Sequence, residues 1–285
     1  MTFRELVRAP GSTDEPYVPS AHGDLYLTRG TDANAQAQGG PGGPNSMGLE
    51  LVRQVDLDAA MAAQYCDVRL QPGDPSISPE VVTAFNPFAR AADEIRALRS
   101  QLLLRGVGTV DGRTLLSIVS PYSQDGRSFI AANLAVAFAQ QGLRTLLVDA
   151  DLRKPRLDKL FRTPDSAGLA GILAGRAGAE AVYSVSALPG LAVLAAGAMP
   201  NSPQDLISKP IFEQLLVNAA RKFDVVLVDT PAADTASDAE IISARTGLAL
   251  VVVRKNKSLL RSTSQLVQKL QQGGVVLVGS VLNEY

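Results

Sequence analysis

Residues 114–155 read TLLSIVSPYSQDGRSFIAANLAVAFAQQGLRTLLVDADLRKP, and this stretch decides the fold. A short apolar run at 115–120 is followed by a turn, a helical pattern that ends at Gly142, and a second apolar run at 145–151. Short branched apolar runs are typical of parallel strands, because helices cover both faces of such a sheet. The stretch therefore predicts a β-loop-α-β unit with polar residues at the strand ends.

The remainder of the C-terminal two thirds alternates in the same way. Further strands are predicted at 191–197, 224–232, 248–253 and 275–282, and helices at 202–223, 237–245 and 258–272. Strands that alternate with helices of this length indicate an α/β fold. We expect a doubly wound, mostly parallel sheet flanked by helices, with right-handed crossovers and a ligand site beyond the carboxyl ends of the strands.

Composition divides the chain into three segments. Residues 1–45 mix Gly, Pro, Asn, Gln and Asp without a hydrophobic period, and we expect them to form a disordered arm. Residues 46–79 are predicted to form a small helical element followed by a proline-containing linker. Residues 80–285 are predicted to form the P-loop domain.

Charge and cysteine content exclude several classes of function. A formal net charge of −1 provides no field that would gather nucleic acid, so we expect no nucleic-acid partner. One cysteine and one histidine cannot furnish a zinc site, and a reducing cytoplasm is the simplest setting. No apolar stretch reaches the roughly 18 residues that span a bilayer, so we expect no direct membrane insertion.

A helix is predicted before the first strand, with Asn86 as its cap, Pro87 in its first turn and its end at Gly106. Asp93, Arg96 and Arg99 are three residues apart and therefore lie on one side of this helix. They could form ion pairs with an identical neighbour, or they could form a solvated face with weak pairs. Spacing alone favours the solvated face.

The turn after the first strand, SPYSQDGRS at 120–128, has the character of a Walker A loop, in which backbone N–H groups and a helix N-terminus hold a phosphate. Gly126 and Ser128 fit the end of that motif. Arg127 stands where the usual lysine belongs, and Pro121 stands where the first glycine belongs. The residues predicted to contact nucleotide in this loop are Ser123, Gln124, Asp125, Gly126, Arg127, Ser128 and Phe129.

Three aspartates follow apolar strands. Asp149 and Asp151 are two residues apart, so on an extended backbone their side chains point the same way. One could accept a proton while the other steadies the water shell of a metal ion. Asp229 ends VVLVD, which is the Walker B pattern, and Ser128 and Asp229 are predicted to hold Mg²⁺.

A structural role remains open for each acid. Asp149 and Asp151 could instead form a loop-edge pair that caps Arg153 and Lys154, and Asp229 could cap a helix or turn. The Asp-Ala-Asp pattern alone is weak evidence. Its combination with the loop and with Asp229 favours phosphate chemistry.

Together these motifs resemble those of the bacterial tyrosine kinases of exopolysaccharide synthesis. The similarity rests on SPYSQDGRS as Walker A, LLVDADLRKP as the additional Walker A′ motif, and VVLVDTPA as Walker B. The resemblance covers residues 80–285 well. It implies an autophosphorylating ATP- and Mg²⁺-dependent kinase that is cytoplasmic and reaches the inner membrane through a partner, the cytoplasmic tail of a polysaccharide chain-length determinant.

The resemblance also implies roles for individual residues. Gly126, Arg127 and Ser128 would contact phosphate and magnesium, and Arg127 would take part in catalysis. Asp149 would act as catalytic base. Asp151 and Asp229 would help to hold the metal ion, and Asp151 would also take part in catalysis. Two further assignments are carried over: Asn283 to the adenine, and Asp93, Arg96 and Arg99 to a homo-oligomer interface, which reverses the preference drawn from spacing.

Two departures from the family pattern leave alternatives open. Arg127 replaces the Walker lysine, as in the branch usually called EpsG, and arginine offers phosphate a broader planar fork than the compact lysine charge. The family's C-terminal tyrosine cluster is missing, since Tyr285 is the only tyrosine after Tyr183. A catalytically weak or inactive nucleotide-binding regulator is therefore a second hypothesis. A partition or division ATPase is a third, although SPYSQD lacks the lysine that such proteins carry early in the loop.

Overall fold

The structure is a computed structural model that describes residues 65–66, 77–86, 88–108, 114–163, 166–185 and 188–284. The predicted arm at 1–45, most of the 46–79 segment and Tyr285 lie outside the described residues. Within them the chain forms one eight-stranded sheet flanked by helices, in the order β1-β4-β5-β3-β6-β2-β7-β8. All neighbouring strands are parallel except β4 and β5.

The strands are β1 (Tyr65–Cys66), β2 (Thr114–Val119), β3 (Thr145–Asp149), β4 (Val182–Val185), β5 (Leu191–Leu194), β6 (Val225–Asp229), β7 (Leu248–Arg254) and β8 (Val276–Asn283). The helices are α1 (Val82–Phe85), α2 (Arg90–Leu104), α3 (Arg127–Gln140), α4 (Leu157–Phe161), α5 (Gly168–Leu173), α6 (Pro203–Ser208), α7 (Pro210–Lys222), α8 (Asp238–Thr246) and α9 (Leu260–Gln272).

Strands β3, β2 and β6 occupy the centre of the sheet, and this position explains their composition. Every residue of β3 and of β6 is buried. Helix α3 is also buried along most of its length, because it packs on the sheet with one side and against α1 and α2 with the other. Its alanines allow this close approach, so the loop that precedes it is held on a rigid support.

The predicted fold class is confirmed, and most strand and helix positions agree with the prediction to within a few residues. Strand β3 ends at Asp149 and not at residue 151. The short strands β1 and β4 were not predicted, and β1 lies in the segment predicted to form a helical element and linker. Strand β4 is half-buried and runs antiparallel to β5. Four residues at a sheet margin carry little periodic signal, because only two of them are fully buried.

The predicted start of the helix before β2 is wrong. Helix α2 begins at Arg90 with Ala89 at its N-cap, and no side chain caps it. Asn86 instead follows α1, where its backbone N–H donates to Val82 O. The Asn-Pro pair is typical of a helix start, but the preceding residues already form a helical turn that Asn86 terminates.

Among the described residues, no helix has the length and apolar character required to cross a membrane.

Candidate phosphoryl-transfer site

The loop at 120–128 lies between β2 and α3, beyond the carboxyl end of the central strand. Gly126 caps α3 in the left-handed conformation, with φ of 104°, which is accessible to glycine at little cost. Asp125 stabilises the turn, since its Oδ2 accepts the Tyr122 N–H at 3.0 Å. The N-terminus of α3 therefore lies at the carboxyl end of β2, where a phosphate cradle holds its ligand.

Arg127 is buried and directs its guanidinium toward protein acceptors. Its Nε donates to Thr230 O at 2.8 Å, and its Nη1 donates to Tyr122 O at 2.9 Å and to Ser120 Oγ. Its Nη2 lies 3.7 Å from Asp151 Oδ2. The side chain thus ties the Walker A loop to the residue after β6, and the predicted phosphate contact of Arg127 remains a prediction.

Asp149 is fully buried and its carboxylate accepts three backbone N–H groups. Oδ1 accepts from Asp151 at 3.1 Å, and Oδ2 accepts from Arg156 at 3.1 Å and Leu157 at 3.0 Å. Burial raises the pKa of Asp149 well above its usual range, and the nearby charge of Asp229 adds to the effect. The carboxyl therefore has the affinity for a proton that a base needs, but it also closes the loop at 150–156.

Asp151 lies in the loop after β3 and not on the strand, so strand alternation does not set the direction of its side chain. Its Oδ1 accepts the N–H groups of Arg153 at 3.2 Å and Lys154 at 2.9 Å. The capping role that the sequence left open is therefore present. Its Oδ2 faces the Arg127 guanidinium, and its predicted service to a metal remains a prediction.

Asp229 is buried at the end of β6, and within the described part of the chain neither of its carboxylate oxygens has a hydrogen-bond partner. Burial raises its pKa to about 6, while the Arg127 charge and the nearby Ser128 hydroxyl oppose that rise. A buried carboxylate without a partner is costly unless a ligand satisfies it. Asp229 and Ser128 therefore fit a magnesium site to which the protein contributes few ligands.

No group of three or more His, Cys, Asp or Glu side chains among the described residues could enclose a metal ion. A magnesium site does not need such a group, because Mg²⁺ keeps several waters and takes one or two carboxylates plus substrate phosphates.

Asn283 lies at the end of β8 and touches the Walker A loop. Its Nδ2 donates to Asp125 O at 2.9 Å, and a Cβ placed on Gly126 would collide with the same nitrogen. The side chain therefore supports the loop backbone. Its predicted contact with adenine is not tested by this geometry.

The end of β7, the segment that follows it and the first turn of α9 also contact the Walker A loop. These contacts were not predicted from the sequence. Arg254 Nη1 donates to Gln124 O at 3.3 Å, Lys257 Nζ lies 3.4 Å from Gln124 Oε1, and Tyr122 Oη lies 2.6 Å from Ser262 Oγ. The sequence offered one indication of these contacts, which is that β7 is predicted to end at the same edge of the sheet as β2.

Arg153 makes a second contact that the sequence did not reveal. Its Nε donates to Asp238 Oδ2 at 2.8 Å and its Nη2 to Oδ1 at 3.3 Å, and the Asp238 side chain is fully buried. The Asp238 carboxylate raises the pKa of Arg153. This pair joins the loop after β3 to the first turn of α8.

The residues predicted to mediate self-association make contacts within the chain. Arg96 pairs with Asp93 one turn earlier, and Arg99 Nη1 donates to Ala137 O on α3 at 2.8 Å. Burial lowers the pKa of Arg99. The spacing thus places the three side chains on one side of α2, where Asp93 is exposed and both arginines are partly covered.

Comparison with known proteins identifies a family whose sequence model matches this chain. The model of the CobQ/CobB/MinD/ParA nucleotide binding domain matches residues 116–285. The tyrosine-protein kinase ptk of Acinetobacter johnsonii is 37% identical over 170 residues, which cover 60% of this chain and 23% of ptk. This chain thus spans about a quarter of the length of that relative.

Solved structures of nucleotide-binding proteins have a similar fold. The kinase domain of the Escherichia coli tyrosine kinase ETK has a TM-score of 0.69 and 27% identity, covering 79% of this chain and 86% of that domain. The septum site-determining protein MinD of Pyrococcus horikoshii, complexed with Mg-ADP, has a TM-score of 0.54 and 26% identity, covering 60% and 70% of the two chains.

Proposed function

The chain belongs to the family of CobQ/CobB/MinD/ParA nucleotide-binding domains, and from this we propose that it is an ATP-dependent protein tyrosine kinase. The observation that carries the proposal is the meeting of a helix-capping loop, the unpartnered carboxylate of Asp229 and the buried carboxyl of Asp149 at one end of the sheet. The names of the relatives, tyrosine-protein kinases, support the same reaction.

Nucleotide binding would use the loop backbone and the first turn of α3. Ser128 and Asp229 would hold Mg²⁺, which when bound neutralises phosphate charge. Arg127 provides a fixed positive charge beside the loop, and it would have to exchange at least one protein acceptor for a phosphate oxygen to contact nucleotide. Asn283 would keep the loop in position.

Phosphoryl transfer would form a bond between the tyrosine oxygen and the γ-phosphorus and break the bond from that phosphorus to the β-γ bridging oxygen, so that ADP leaves. Asp149 would accept the hydroxyl proton. Burial raises the pKa of Asp149, which increases its affinity for the proton that it would accept. Because the Asp149 side chain is fully buried and also accepts three backbone N–H groups, the loop at 150–156 would have to move for the hydroxyl to approach.

The direct test supplies the purified chain with Mg²⁺ and ATP labelled at the γ-phosphate, and measures label on protein tyrosine. Asp149→Asn should reduce transfer at least a hundredfold while ADP binding remains. Asp205→Asn, at an exposed position in α6, is the matched control and should transfer normally. Absence of transfer by the parent chain, even with the cytoplasmic tail of a membrane partner present, would exclude the kinase.

A second function is supported by Arg127. Its guanidinium is already bonded to Ser120, Tyr122 and Thr230, and such an arrangement suits a nucleotide-binding regulator with little turnover. Titration calorimetry with Mg-ADP distinguishes the two functions when combined with the transfer assay, because the regulator would bind ADP and transfer no label. The MinD similarity leaves a division-type ATPase as the weaker alternative.

The biological setting follows from the resemblance and is part of the proposal. The chain would control exopolysaccharide synthesis, export and chain length on the cytoplasmic side of the inner membrane, together with the cytoplasmic tail of a membrane chain-length determinant. The acceptor would be Tyr285, another tyrosine of the chain, or a partner protein. Adding the tail should raise ATP turnover, and an unchanged rate would argue against that partner.

Self-association through Asp93, Arg96 and Arg99 is also proposed. Arg96→Glu should shift the protein to a smaller species in light scattering, while Arg176→Glu, an exposed arginine after α5, should not. An unchanged mass for Arg96→Glu would remove α2 from the interface.

A further inference from the structure

The corner between β7 and α9 carries a concentrated positive charge. Residues 254–261 read RKNKSLLR, with four cations and no acid, although the whole chain has a formal net charge of −1. Lys255 is paired with Glu284 at 2.9 Å. Arg254, Lys257 and Arg261 form no ion pair with a described residue. A local cationic surface is therefore available on a protein that is nearly neutral overall.

Exposed leucines lie at the same corner. Leu259 and Leu260 are 62% and 61% exposed. The inward stripe of α9 consists of Thr263, Leu266 and Leu270, and Leu260 continues it by one turn beyond the core. Leucine at the end of such a stripe normally packs inward, whereas Leu260 is exposed and adds apolar surface at the start of α9.

A third leucine joins them through the register of the last two strands. Leu282 pairs with Val253, whose side chain packs with the core cluster beneath α9, and Leu282 is 58% exposed. Paired residues on adjacent parallel strands face the same side of the sheet. Leu282 therefore lies on the α9 side, at the strand end where α9 begins.

We propose that this corner, formed by Arg254, Lys257, Leu259, Leu260, Arg261 and Leu282, binds the surface of an anionic membrane directly. Cations at the rim attract acidic headgroups, and leucines between them enter the boundary between headgroups and acyl chains. The leucines favour a membrane over nucleic acid, because a phosphate backbone offers nothing that exposed aliphatic side chains would contact.

The corner lies next to the Walker A loop, so a membrane bound there would also affect that loop. Arg254 and Lys257 both reach Gln124 of the Walker A loop, and Ser262 in the first turn of α9 is bonded to Tyr122. A membrane surface that draws the two cations away from Gln124 would act directly on the loop. Membrane contact and nucleotide affinity are therefore coupled, and each should change the other.

Vesicle flotation tests the contact with the full chain and without nucleotide. Vesicles of phosphatidylcholine alone are compared with vesicles that contain 30 mol% phosphatidylglycerol. Binding should occur on the anionic vesicles and weaken as salt is raised. Arg261→Glu reverses one charge away from the loop and should lower the partition coefficient by about 25-fold, which is about fivefold for each unit of charge. Arg176→Glu is the matched control and should bind normally.

The apolar part has its own variant. Leu259→Ser combined with Leu260→Ser should lower anionic-vesicle binding at least tenfold, whereas Met199→Ser, at a position 66% exposed elsewhere, should not. Circular dichroism verifies that each variant is folded. Three outcomes would each overturn the proposal. The chain could bind neutral and anionic vesicles equally, or Arg261→Glu and Arg176→Glu could lose vesicle binding equally. The third outcome is binding to duplex DNA as tight as the binding to vesicles. Because no ATP is used, its failure would leave the proposed kinase reaction untouched.

Discussion

Asp149 and Asp229 stand directly opposite each other in the register of two adjacent parallel strands, and both are buried. The backbone strengthens the pairing, since Ala150 N–H donates to Asp229 O at 2.9 Å. Two acids at neighbouring strand ends repel when both are charged, and burial weakens the screening that water would supply. Their surroundings differ: Asp149 accepts three backbone N–H groups, whereas the Asp229 carboxylate has no hydrogen-bond partner among the described residues.

Asp229→Asn should stabilise the metal-free protein at neutral pH. The folded-state pKa of about 6 exceeds the ordinary value of 3.8, so the folded state binds more protons between these values and its stability falls as pH rises through them. Well above pH 6 the neutral amide avoids this loss, and we expect a gain of about 3 kcal/mol in urea unfolding with EDTA.

The gain should disappear below about pH 3, where Asp229 is protonated in both states. Asp205→Asn, on the exposed side of α6, should show no such pH-dependent difference. A variant that is less stable than the parent at pH 7.5 would show that an unseen partner already satisfies the carboxylate.

Arg127→Lys should increase ATP turnover about tenfold and lower the free energy of unfolding by about 1 kcal/mol. Lysine cannot bond Thr230 O and Tyr122 O with a planar fork, so part of the loop support is lost while the compact ammonium becomes free to reach phosphate. Phosphate release and urea unfolding are the measurements. Arg144→Lys, at an exposed ion pair, is the control, and lower turnover in Arg127→Lys would assign a direct role to the guanidinium.

Gly126→Ala should cost about 2 kcal/mol of stability and abolish Mg-ADP binding. The positive φ accounts for about 1 kcal/mol, and displacement of Asn283 accounts for the remainder. Gly247→Ala has a φ of 74° with no atom near its new Cβ, so it should show only the first part. Adding Asn283→Ala to Gly126→Ala should recover stability, and strict additivity of the two changes would rule out the collision.

Arg153→Ala should destabilise the protein by about 3 kcal/mol, because it leaves the fully buried Asp238 carboxylate without its ion-pair partner. Combining Arg153→Met with Asp238→Leu removes both charges and should cost less than Arg153→Ala alone. Urea unfolding of the variants provides the comparison. If Arg153→Ala and the double variant were equally unstable, the loss would come from packing and not from the unpaired charge.

The sequence by itself determined the order of strands and helices and the loop-strand motifs. Buried parallel strands must be apolar on both faces, so β2, β3 and β6 were visible as short branched runs, and the polar residue that ends each run was visible with them. Gly126 was recognisable because it fits the end of the Walker A motif, and the structure shows that it caps α3 in the left-handed conformation. Local rules of this kind act over a few residues and can be read from the chain.

Only the tertiary structure decided what each polar group contacts. Arg127 turns toward Thr230, Arg153 toward Asp238, and Arg254 and Lys257 toward Gln124, across separations of 85 to 133 residues. The same holds for Asn86, whose cap signal was overridden by the helical turn before it. Long polar side chains choose partners by proximity in space, and that proximity exists only after the strands have been ordered in the sheet.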